Sequence, residues 1–139
     1  AQEDLRADPA LMPAAVEEML RWWTPVMTFR RTATSACQLS GQRIGEGDKV
    51  VVSFISANRD EAVFTDPDRF DIRRRPNSHL VFGHGPHFCL GAHLARVQMR
   101  ALFGEALART SSLTYAGQPA YLRSNFQRGV KRLPISWTA

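Results

Sequence analysis

No stretch of this 139-residue chain approaches the roughly 18 uncharged apolar residues that a membrane-crossing helix requires. The opening AQEDLRADPA is acidic and polar, so no secretory leader is expected and a cytoplasmic location is the expectation. Cysteine is scarce. Its two copies, Cys37 in a strand-like stretch and Cys89 in a glycine loop, read as free thiols rather than one disulfide. Repeats, low-complexity tracts and flexible linkers are also missing, which leaves about one domain's worth of chain. The net charge of +5 is scattered, with Arg73, Arg74 and Arg75 and the Lys131, Arg132 pair as its clusters and few aromatics between them. That pattern is only weak support for nucleic acid, none of which is expected as a partner, and a solvated surface or a patch that docks an acidic protein explains it as well.

What is present falls into an ordered series. After Asp8-Pro9, Val16, Met19, Leu20 and Trp23 recur on one helical face until Thr24-Pro25, predicting a helix over about 10–23. MTFRRTATS, CQLSGQRI and DKVVVSFIS then supply β-branched and aromatic runs punctuated by Ser40-Gly41 and Gly45-Glu46-Gly47, the pattern of a small antiparallel sheet. From Ala57 to Ser78 an irregular meander with one short helix is expected. Gly91 to Arg109 reads as a helix apolar on most sides and therefore buried. Beyond it, short strands with hairpin turns at Ala116-Gly117 and around Gln127 to Gly129 are expected.

The densest chemistry lies in FGHGPHFCLG, residues 82–91, where Cys89 sits among three glycines just before a helix. All four histidines (His79, His84, His87, His93) fall within the same short region. A structural zinc site would want four converging ligands, usually with Cys-x2-Cys pairs, and the spacing here fits that poorly. A nucleophilic cysteine draws support from the helix N-terminus, which favours a thiolate, but no histidine from a distant segment is available as base. A buried structural thiol leaves the glycines unexplained. A thiolate ahead of an apolar helix, with backbone able to lie flat against a large planar ligand, meets the needs of axial ligation of haem iron.

Phe82-Gly83-x-Gly85-x-His87-x-Cys89-x-Gly91 resembles the haem-binding signature of the cytochrome P450 family. Glu18 and Arg21, three apart on the first helix, resemble that family's Glu-x-x-Arg motif, which is buried there with a meander arginine, here expected to be Arg69 of DPDRF. FRRTAT, ANRDE, FDI, PN-x-HL and LAR extend the likeness over most of the chain, with Arg74 at the arginine position after FDI. The tail LRSNFQRGVKRLP resembles actinobacterial members that oxidise sterol side chains or methyl-branched lipids.

The resemblance implies an α+β, mainly helical fold: the C-terminal portion of the cytochrome P450 fold, with a Glu-x-x-Arg helix, small antiparallel sheet, meander, cysteine loop, long buried helix and terminal β-hairpins. Residues 1–139 would be the C-terminal haem-ligating part, lacking the N-terminal part and the central oxygen-activating helix. Cys89 would ligate the iron of haem b (iron protoporphyrin IX); Arg31 and His87 would contact its propionates, with Phe82, Gly83 and Gly91 beside it. Glu18, Arg21 and Arg69 would form a structural network, and Val26, Met27 and Phe126 would line the pocket of a small apolar substrate. The implied activity is monooxygenation, with electrons from NAD(P)H passed through a ferredoxin reductase and a ferredoxin docking near Arg73 to Arg75. A truncated remnant without independent catalysis, or a non-haem metal-binding domain, is the alternative.

Overall fold

Helix α2 (Met12–Trp23) is the element around which the rest is arranged in this computed structural model, which describes every residue from Ala1 to Ala139. Pro13 lies in its first turn, where a missing N–H costs nothing. A 3-10 turn over Pro9–Leu11, capped by the Asp8 carboxylate accepting from the Ala10 N–H, leads into it. The expected start at residue 10 therefore falls in that turn. Thr24 ends the helix in a left-handed conformation (φ 47°), and Pro25 prevents continuation. A β-branched residue is strained there. Three hydrogen bonds hold it: its N–H to the Leu20 carbonyl (2.9 Å), its Oγ1 to the Arg21 carbonyl (2.7 Å), and acceptance from Asn58 Nδ2 (3.0 Å).

Met12, Ala15, Val16 and Leu20 of α2 join Leu5, Ile72 and Val81 in the buried core. Leu5 comes from α1 (Gln2–Ala7), a short helix the sequence pattern did not suggest. Arg6 of α1 donates to the Thr110 carbonyl and Gln2 to the Leu113 carbonyl, fastening the two ends of the chain together.

The small sheet is two antiparallel pairs. Strand β1 (Thr28–Thr32) pairs with β4 (Lys49–Ser53), Thr28 opposite Ser53 and Thr32 opposite Lys49. Between them β2 (Cys37–Leu39) and β3 (Gln42–Ile44) form a hairpin whose Ser40-Gly41 turn has positive φ at both residues, 47° and 81°. After α3 (Phe54–Ala57), capped by Ser53, the meander runs without regular structure to a 3-10 turn at Gly85–His87.

Helix α4 (Ala92–Arg109) departs from the buried helix expected. Only Ala92 is buried; Met99, Phe103 and Leu107 pack against the core, while Leu94, Val97 and Leu102 are 59%, 45% and 65% exposed. An all-round apolar helix needs neighbours on every side, and the described residues supply them on one.

The terminal strands also differ from the expected arrangement. Strand β5 (Ser112–Tyr115) pairs with the last strand, β8 (Ile135–Thr138), while β6 (Ala120–Tyr121) pairs with β7 (Val130–Arg132). The Ala116-Gly117 turn thus connects two sheets rather than closing a hairpin. The segment between β6 and β7 does form a hairpin loop, and its Gln127 bridges to Val26 beside β1.

Candidate functional site

Three separated segments converge on one cleft of about 720 Å³. Val26 lies just before β1, Phe29 and Arg31 on β1, Val52 on β4 and Phe54 opens α3; the end of the meander and the glycine loop bring Leu80, Val81, Phe82, Gly83, His84, His87 and Cys89. The cysteine loop is shaped by its own backbone. The Cys89 N–H donates to the Phe82 carbonyl (2.8 Å) and the Phe88 N–H to the Gly85 carbonyl (2.9 Å). Gly83 and Gly85 take φ of 75° and 70°, which a side chain would resist. A Cβ added at Gly91 would lie 3.9 Å from the Cys89 sulfur, an ordinary contact distance. The thiol is exposed and forms no disulfide.

Arg31 lines the cleft with its guanidinium 5.5 Å from the Phe29 ring centroid. It donates to the Arg30 carbonyl and has no carboxylate partner, so its charge is available to an anionic ligand. His87 lines the same cleft. Of the three residues expected in a substrate pocket, Val26 lines the cleft. Phe126 reaches it indirectly, edge-on to Phe29 at 5.6 Å. Met27 instead lines a separate shallow groove with Tyr121, Leu122 and Arg128.

Away from the cleft lining, on α2, the Glu18 and Arg21 side chains pair, both 0% exposed. Arg21 Nε and Nη2 donate to the two Glu18 oxygens at 2.7 and 2.8 Å, and Nη1 donates to the Asn58 and Pro67 carbonyls at 2.8 Å. The third guanidinium is not that of Arg69, whose side chain is exposed and which contributes only its backbone carbonyl. Arg74 takes the place, with Nε 3.2 Å from Glu18 Oε2 and further bonds to the carbonyls of Thr65, Asp66 and Arg69. The meander curls so that Arg69 shows its main-chain carbonyl to Arg21 and Arg74 while the Arg74 guanidinium points inward to Glu18. Burial alone would raise the Glu18 pKa, but the Arg21 hydrogen bonds, the Asp71 N–H and Arg74 hold it below the ordinary carboxylate range.

The non-haem metal alternative is not met: no three histidine, cysteine or acidic side chains converge as a metal site. His79 pairs with Glu17, which also binds Arg96. This second cluster was not anticipated, although adjacent glutamates on one helix must face different surroundings. Asn58 was missed as well. Its buried side-chain amide donates to Thr24 Oγ1 and accepts from the Leu80 N–H, while its main-chain carbonyl accepts from Arg21, tying α2 to the segment that leads into the loop.

The sequence model described as Cytochrome P450 matches residues 1–130. The chain belongs to the cytochrome P450 family. Among curated relatives, Cytochrome P450-terp of a Pseudomonas species is 47% identical over 133 residues, which cover 96% of this chain and 31% of the relative. The methyl-branched lipid omega-hydroxylase of Mycobacterium bovis is 47% identical over 129 residues, covering 92% and 30%. Among solved structures, Cytochrome P450-153 from Novosphingobium aromaticivorans superposes with a TM-score of 0.92 at 44% identity, covering 97% of this chain and 34% of the other. The chain spans about a third of the length of the relatives it matches, and its fold is that of part of a cytochrome P450.

The family implies haem, and the cleft fits one. Its apolar lining suits a macrocycle, the exposed sulfur is a soft anionic ligand once deprotonated, and Arg31 and His87 offer N–H donors to two carboxylates.

Proposed function

We propose that this chain is the haem-thiolate part of a P450 monooxygenase, with the Cys89 sulfur as ligand to the iron. The observation that carries the reading is the convergence of Arg31, from β1, with Phe82, Gly83, His87 and Cys89 of the glycine loop on one apolar cleft. When bound, haem b supplies activation of dioxygen and insertion of one oxygen atom into a C–H bond. The chain's own residues have simpler tasks. Cys89 would hold the iron and donate charge to it; Gly83 and Gly91 would leave the space beside the sulfur free of side chains; Arg31 and His87 would hold the haem carboxylates. Val26, Phe29 and Phe54 exclude water beside it, and Phe126 backs Phe29.

The substrate is an apolar molecule, in keeping with the lining and with relatives named methyl-branched lipid omega-hydroxylase and steroid C26-monooxygenase. A sterol or branched lipid fits both. Electrons come from NAD(P)H through a ferredoxin reductase and an acidic ferredoxin. Within the arginine cluster, Arg74 is spent on Glu18 and Arg73 leans to Asp4 at 3.6 Å, which leaves Arg75 and the cysteine-loop surface as the docking candidates.

The ferrous carbon monoxide spectrum of the haem-loaded protein tests the assignment. The red-shifted Soret band of thiolate ligation is expected, and Cys89→Ser should abolish it. A wild-type protein that retains no haem, or shows only the band of a neutral ligand, overturns the reading in favour of an inactive remnant.

A further inference from the structure

The two neighbouring glutamates of α2 enter different polar clusters. Glu17 Oε1 accepts from Arg96 Nε at 2.7 Å and its Oε2 from Arg96 Nη2 at 2.8 Å, a two-pronged pairing across α2 and α4. His79 completes the group. Its Nδ1 accepts from the Val81 N–H at 3.4 Å, leaving the proton on Nε2, which donates to Glu17 Oε2 at 3.1 Å. The His79 side chain is 3% exposed, and burial, opposed in part by Glu17, holds its pKa below the ordinary imidazole range. The cluster therefore carries one anion and one cation near neutral pH.

What this group touches is the cysteine loop. The Arg96 guanidinium lies 4.5 Å from the Phe82 ring centroid, and the His79 ring is 6.1 Å from the same ring. Phe82 lines the cleft, and its carbonyl accepts the Cys89 N–H at 2.8 Å. The Phe82 ring also meets Phe88, the residue before the sulfur, at 6.2 Å. The pair is half-buried, each side chain 25% exposed, and it steadies α2 against α4; its placement against Phe82 carries that hold into the cysteine loop.

We propose, on the haem-thiolate reading above, that Glu17 and Arg96 are positioning residues for Cys89, pinning Phe82 and setting the reduction potential of the iron that the sulfur holds. Reduction adds negative charge at the iron, so a nearby cation favours the reduced form and a nearby anion opposes it. Arg96 and Glu17 therefore act with opposite signs, and His79 keeps Glu17 oriented without adding charge.

The test measures the reduction potential and the ferrous carbon monoxide spectrum of haem-loaded wild type, Arg96→Gln, Glu17→Gln and the double variant. The expected result is a lower potential for Arg96→Gln, a higher one for Glu17→Gln and a value near wild type for the pair together. Arg96→Lys, which keeps the charge and loses the fork, should retain most of the wild-type potential. If both single variants shift the same way, or neither shifts while the thiolate band persists, the pair is packing alone and the proposal falls. A wild-type protein without the thiolate band removes the functional reading itself, and this proposal with it.

Discussion

Glu18 is fully buried, yet its carboxylate accepts from Arg21, Arg74, Asn77 and the Asp71 N–H. Satisfaction on this scale makes a buried anion tolerable, and it makes each donor costly to remove. Arg21→Ala leaves Glu18 short of its two strongest donors and should destabilise the protein by about 3–5 kcal/mol in urea unfolding. Arg74→Ala should cost about 2–4 kcal/mol, whereas Arg69→Ala, which keeps the carbonyl the network uses, should stay within about 0.5 kcal/mol. Equal losses at 69 and 74 would restore Arg69 to the network. The sequence shows an arginine at both positions; which one faces inward depends on how the meander curls.

At the level of elements, the cysteine loop and α4 respond to different forces. Gly83 holds φ at 75°, and a Cβ there would also meet the His87 carbonyl at 3.5 Å. Gly83→Ala should therefore cost about 1–2 kcal/mol through backbone strain and lower haem retention, read by the haem-to-protein absorbance ratio. On α4 the prediction is one-sided. Phe103→Ala, on the face against the core, should cost about 2 kcal/mol or more, while Leu102→Ala, 65% exposed, should change stability by less than about 0.5 kcal/mol. Periodicity found α2 to its last residue because Thr24-Pro25 is local chemistry. It misjudged α4, because burial is a property of what lies alongside. The turn at Ala116-Gly117 misled for a like reason: it marks a change of direction, and the choice of β8 over β6 as partner of β5 is made by long-range register.

Across the whole molecule, acid should act in two stages. His79 is held neutral by burial, so folding excludes a proton that the unfolded chain accepts; stability is complete above the ordinary imidazole range and falls as pH drops through it. Glu17 and Glu18 follow. Burial would raise both, but arginine hydrogen bonds outweigh it, so their stabilisation is present above the ordinary carboxylate range and is lost as pH falls towards their depressed values. Urea midpoints should decline between about pH 7 and pH 5, and His79→Gln should remove that first decline while leaving the second. A wild-type profile flat to pH 5 would contradict the neutral, buried His79.

The sequence by itself determined the family and, from α2 to α4, the order of elements, because the cysteine loop is a continuous run whose glycines, histidine and thiol stand within ten residues. Convergence belonged to the tertiary structure. Arg31 comes to the cleft by β1 pairing with β4, Arg74 to Glu18 by the path of the meander, and Glu17 to Arg96 and Phe82 by the crossing of α2 with α4. Each joins residues far apart in the chain, and no local pattern records which distant side chain will arrive, because that is settled only when the core under α2 closes.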